Sequence, residues 1–194
     1  GNSLNGWWTY MAVFGGSHNA TGSYNIIWGY LNTVSSSYNA VFWYNHTVSW
    51  FGNLIWGYQN IVPAERSVVG WNANNVSGSR NAVFGQFNTV AANTYVVSAI
   101  GQSNNISATA GLVNNGSTVI GASNVLTRGS CNINIGNSNT TAWDNSQFIW
   151  TWINVTANNA LILAWASQLL WFYWDTTPVA KQTLPAAATN AATT

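Results

Sequence analysis

Asn81, Ala82, Val83, Phe84, Gly85, Gln86, Phe87, Asn88, Thr89 and Val90 form a stretch in which a short apolar run meets a glycine and a further apolar residue follows five positions later. The same design stands upstream, as Met-Ala-Val-Phe-Gly at 11–15, Asn-Ile-Ile-Trp-Gly at 25–29 and Asn-Leu-Ile-Trp-Gly at 53–57. These glycine anchors are separated by multiples of 14 residues, and the registers between them hold Trp43 and Trp71. Six consecutive units therefore keep one period without insertion. Downstream the motif continues to Gly101, Gly121 and Gly136 after spacings of 16, 20 and 15 residues, and Trp150 marks a weaker tenth register.

Five residues past each anchor stand Ala20, Val34, Val48, Val62, Val76, Val90, Ile106, Leu126, Thr141 and Val155, so each unit holds two short strands. A repeat this short cannot bury its apolar residues alone, whereas stacked coils can, each pairing its backbone with the coils on either side. The expected fold is all-β. It is a parallel β-solenoid, or β-roll, of about ten 14-residue coils over residues 1–156, followed by an apolar capping or assembly segment at 157–177 and a Pro/Ala/Thr-rich tail at 178–194.

Three residues past the anchor, seven of ten registers hold Asn, and His18 and His46 occupy two of the others. Stacked coils turn such a column into an amide ladder, with each side chain bonded to the coil beside it. The two histidines are read as substitutes for Asn in that ladder. Alternate strand residues face opposite sides. The row just before the anchor, from Phe14, Trp28, Phe42 and Trp56 to Phe84 and Ile100, is assigned to the core, and Trp43, Trp71 and Trp150 are expected to project outward.

The composition narrows the function. Only seven of 194 residues carry formal charge and the net charge is +1, so no basic stripe exists to neutralise phosphates and nucleic acid is not an expected partner. Polarity comes instead from 29 Asn together with Ser and Thr. The single Cys131 has no intrachain disulfide partner. Three carboxylates, two histidines and one thiol leave little from which to build a nucleophile, an acid–base pair or a metal cluster, so neither an enzyme nor a cofactor is expected.

The units Asn-Ala-Val-Phe-Gly-Gln-Phe-Asn-Thr-Val at 81–90 and Ser-Ala-Ile-Gly-Gln-Ser-Asn-Asn-Ile-Ser at 98–107 resemble the head repeats of trimeric autotransporter adhesins, over roughly residues 10–141. The resemblance implies a left-handed parallel β-roll that assembles as a trimer and binds extracellular matrix or host surfaces. Those heads usually carry small side chains near the glycine, where Phe and Trp stand here, and no ligand-contact residue carries over.

The most apolar stretch, 160–174, is shorter than the roughly 20 residues of a membrane-spanning helix. It is read as an assembly segment, with Leu161, Leu163, Trp165, Leu169, Leu170, Trp171, Phe172 and Trp174 as contact residues and a bilayer span not expected. Seven Asn-X-Ser/Thr sequons make Asn19, Asn45, Asn75, Asn105, Asn115, Asn139 and Asn154 candidate glycosylation sites. Taken together, the sequence points to an extracellular or cell-surface location. The expected role is a structural subunit of a fibre or surface appendage, with copies of itself as partners through solenoid ends and the apolar segment. The alternative is an adhesin head or carbohydrate-binding module of a trimeric surface protein, with surface glycans as partners.

Overall fold

The computed structural model describes residues 1–4, 10–107, 114–127, 129–142 and 144–149, and beyond them the strands Asn154–Val155, Ala160–Trp165 and Gln168–Tyr173. Each coil supplies a strand of five residues and one of two. The longer strands run Ala12–Gly16, Ile26–Tyr30, Ala40–Tyr44, Leu54–Tyr58, Val68–Asn72, Ala82–Gln86, Ser98–Gln102, Thr118–Ala122 and Ile133–Asn137, each paired in parallel with the next. The shorter ones, from Ser3–Leu4 and Asn19–Ala20 to Thr140–Thr141 and Asn154–Val155, stack as a second parallel sheet. The chain is a parallel β-solenoid of about nine coils, with no helix among the described residues.

The longer spacings do not disturb the stack. Gly85 pairs with Gly101 and Gly101 with Gly121, so the inserted residues lie outside the register. Part of them forms a small side sheet in which Thr94–Tyr95 pairs with Asn114–Asn115. At the C-terminal end, Gln147–Ile149 pairs in parallel with Ala160–Trp165, and Gln168–Tyr173 then adds antiparallel as the last strand of the long-strand sheet.

Each coil is built from two half-turns of one local design. A residue in the left-handed region turns the chain, and the next residue points a polar side chain inward. One outward residue follows, and then an inward apolar one. Leu31 (φ 60°), Asn32, Thr33 and Val34 make one such half-turn, and Tyr38 (φ 62°), Asn39, Ala40 and Val41 make the next, seven residues on. The interior therefore receives two apolar rows, Ile27 to Val119 from the long strands and Ala20 to Leu126 from the short ones, flanked by two polar columns.

The row assigned to the core from the sequence lies outside. Phe14 is 59% exposed and Trp28 62%, whereas their neighbours Ile27, Val41 and Ile55 are fully buried. Volume is the reason. Two sheets joined by such tight turns leave room for a β-branched side chain from each but not for an indole, and the largest fully buried side chains are Ile, Leu and His. Trp43 and Trp71 do project outward, at 54% and 56% exposure.

The anchor explains why glycine recurs. At Gly101 the backbone has φ 127°, and a Cβ there would collide with the carbonyl oxygen of Gly121 in the next coil. Glycine permits both the conformation and the close approach.

Toward the C-terminal end the interior becomes polar. Asn134 and Thr141 occupy the two otherwise apolar rows, and the Thr141 hydroxyl is buried without a hydrogen-bond partner. A sealed unpaired hydroxyl costs about 1–3 kcal/mol. Thr141→Val, which has nearly the same shape and restores the residue used in most other coils, should therefore raise stability by about 1–2 kcal/mol in urea titration.

Candidate interaction face

The interior polar columns hold both histidines in hydrogen bonds between coils. In the ladder three past the anchor, each backbone N–H is accepted by the side chain of the preceding coil. Asn74 N–H donates to Asn60 Oδ1 at 2.9 Å, Asn88 N–H to Asn74 Oδ1 at 3.0 Å and Asn104 N–H to Asn88 Oδ1 at 3.1 Å. The amide nitrogens donate forward to anchor carbonyls, as Asn74 Nδ2 does to Gly85 O at 2.8 Å. His18 and His46 fit the same scheme, with Nδ1 accepting from Asn32 N–H at 3.3 Å and Asn60 N–H at 3.1 Å.

A second ladder runs on the opposite side of the coil, four residues before the anchor, and the sequence reading did not find it. Asn39 N–H donates to Asn25 Oδ1 at 2.9 Å, Asn53 N–H to Asn39 Oδ1 at 3.0 Å and Ser67 N–H to Asn53 Oδ1 at 3.0 Å. Among the described residues no group of three His, Cys, Asp or Glu could hold a metal. Cys131 is exposed.

The sequons divide by burial. Asn19, Asn45, Asn75, Asn105 and Asn115 are exposed, while Asn154 is described only as part of a strand. Asn139 is a ladder residue with no exposed surface, so the fold leaves no room for a glycan on it. The recurrence of sequons four past the anchor follows from strand geometry. In the pairs Asn19 with Thr21 and Asn75 with Ser77, an inward residue separates two outward polar ones, which is the pattern Asn-X-Ser/Thr.

The feature left for function is the outer face of the long-strand sheet. Its columns hold Ile26 and Leu54, then Phe14, Trp28, Phe42, Trp56 and Phe84, then the anchors, and no charged residue stands in any of the nine five-residue strands. Nine strands about 4.8 Å apart and about 16 Å long give the sheet a footprint of roughly 700 Å², shared by the apolar side chains with glycine backbone and with Asn72, Gln86, Ser98, Gln102 and Thr118. Monomeric proteins seldom expose an apolar patch beyond about 300–600 Å², and one side of a standard protein interface buries about 800 Å². Comparison with protein-family models, curated proteins and solved structures gives no match, so this face is interpreted from its own chemistry.

The face changes character along the rod. Rings dominate as far as Phe84, and from Ile100 onward the same column is aliphatic, with Ile120, Ile135 and Ile149. The apolar hairpin continues this aliphatic end. Leu161 and Leu163 stand in register with Gln147 and Ile149, and they pair in turn with Phe172 and Leu170. In the same two strands Trp165 pairs with Gln168, Leu169 with Ala164 and Trp171 with Ile162. Trp174 lies outside the described residues.

Proposed function

We propose that this chain is a structural subunit of an extracellular fibre or surface appendage, and that it contacts copies of itself through the aliphatic end of the long-strand face together with the C-terminal hairpin. The observation that carries the reading is the uncharged outer face of the long-strand sheet, on which Phe14, Ile26, Trp28, Leu54, Ile100 and Ile133 expose apolar surface in neighbouring coils. The hairpin also bears on how copies meet. Its last strand is antiparallel, so the long-strand sheet does not offer at that end the parallel edge on which a further coil would continue, whereas the short-strand sheet ends on the parallel strand Asn154–Val155. Side-by-side contact is therefore favoured over coil-on-coil stacking. A non-catalytic role is part of the proposal, supported by two histidines committed to ladder bonds and by Glu65 and Asp144 lying several coils apart.

The test is oligomeric state. Light scattering on the full chain should give an oligomer, and Ile100→Lys with Ile133→Lys, both at exposed outward positions, should weaken assembly at least tenfold while circular dichroism stays unchanged. A monomeric parent chain, or a variant that assembles equally well, overturns the reading. An adhesin head similar to those of trimeric autotransporters is the second reading, supported by the 14-residue parallel coil. It requires closed trimers, where a fibre requires open-ended contacts.

A further inference from the structure

Trp43 and Trp71 stand where the fold has no use for a side chain. At the anchor position Gly15, Gly29, Gly57, Gly85, Gly101, Gly121 and Gly136 adopt φ between 105° and 134°, and the two tryptophans take φ 88° and 76° in the same stack. A bulky residue at positive φ is strained, and such strain persists where the side chain serves something other than folding. Both indoles are more than half exposed, so core packing does not account for them.

Their spacing and surroundings indicate what they serve. Trp43 and Trp71 are two coils apart, roughly 9.6 Å, and Gly57 in the coil between them is buried and brings no side chain. That distance is close to the length of one disaccharide unit in an extended β-1,4-linked chain. Beside them Trp56 lies against Gly70, where a Cβ would overlap the indole, and its ring approaches Phe84 with centroids 5.7 Å apart. On the other flank Tyr30 and Tyr44 stack with centroids 6.2 Å apart, Tyr58 lies tilted against Tyr44 at 5.8 Å, and the column continues as Asn72 and Gln86. Flat rings bordered by hydroxyls and amides match a sugar chain, whose C–H faces stack and whose edge hydroxyls seek hydrogen bonds. A second protein copy would need no such polar border, and an acidic polymer would need cations that these strands lack.

We propose that the N-terminal half of the face binds an uncharged β-1,4-linked polysaccharide lying along the rod axis, with sugar rings stacked on Trp43 and Trp71. The proposal rests on the reading of this face as an interaction surface, but not on self-assembly. Full chain is incubated with insoluble cellulose and with insoluble chitin, and the unbound protein is measured; the two arms separate glucose from N-acetylglucosamine polymers. Retention on at least one is expected, together with at least a tenfold loss of affinity in the double variant Trp43→Gly, Trp71→Gly. Because glycine is the ordinary anchor, that variant should melt no lower than the parent and keep its oligomeric size. Trp43→Phe with Trp71→Phe should retain most of the binding. No retention on either polymer, or a glycine variant that binds within twofold of the parent, overturns the proposal. So does a glycine variant that loses its oligomer, since the indoles would then belong to the self-contact. The Ile100→Lys, Ile133→Lys chain separates this from the assembly reading, because it should bind polysaccharide whether or not it assembles.

Discussion

Asn74→Ala should destabilise the rod by about 3–5 kcal/mol, a large part of the 5–15 kcal/mol that usually holds a domain together. The Asn74 side chain makes bonds in two directions. Its Oδ1 accepts the Asn88 N–H and the Asn88 Nδ2, both at 3.0 Å, and its Nδ2 donates to Gly70 O at 2.9 Å and to Gly85 O at 2.8 Å. Its Nδ2 also lies 3.2 Å from Asn60 Oδ1, and alanine removes all of these bonds at once, leaving the Asn88 N–H without its side-chain acceptor inside a core that excludes water, where an orphaned group costs about 1–3 kcal/mol before relaxation. Neighbouring Asn75 is exposed, so Asn75→Ala should change stability by no more than about 0.5 kcal/mol. Urea titration of the two variants measures the difference. Equal midpoints would mean that the ladder fills space without holding the coils together. Because a solenoid can open coil by coil, the Asn74→Ala chain should also lose the coincidence between fluorescence and circular dichroism transitions.

Period, strand pairing and the first ladder were legible in the sequence because each depends only on what recurs every 14 residues. Facing was not. Alternation says which residues share a side, but both sides of the long strand are apolar here, and only the interior volume decides between Val83 and Phe84. The second ladder was hidden by the choice of glycine as reference. Read by asparagine, the chain repeats every seven residues through Asn25, Asn32, Asn39, His46, Asn53 and Asn60, each followed two positions later by a buried Ile or Val. That half-period is the unit the backbone follows, since one left-handed corner precedes every inward amide. The interaction face stayed invisible for the same reason as the facing error: residues expected in the core form the surface that most needs a partner. The sequons misled differently, since Asn139 belongs to the ladder, where the Asn side chain is already bonded.

Acidification should weaken the N-terminal coils, and His46 in the ladder gives the reason. His46 Nε2 lies 2.9 Å from Phe42 O, which can only accept, so that nitrogen carries the proton. Nδ1 accepts the Asn60 N–H and must keep its lone pair. The ring is thus neutral by construction, and a second proton would set an N–H against an N–H with no acceptor in reach. Burial lowers the His46 pKa below its ordinary 6.5, with the hydrogen bonds to Phe42 and Gly57 opposing the shift without reversing it. No carboxylate or cation stands in the ladder columns on either side. Between the folded value and 6.5 the unfolded chain holds a proton that the folded chain refuses, so stability is full above 6.5 and falls with pH toward the folded pKa. Thermal melts from about pH 7.5 down to about pH 5.5 should show this decline, above the range near pH 4 where carboxylates titrate. The variant His46→Asn places in that coil the residue that serves the neighbouring coils, and its melting temperature should fall clearly less across the same interval. A decline that persists unchanged in that variant would remove His46 from the explanation.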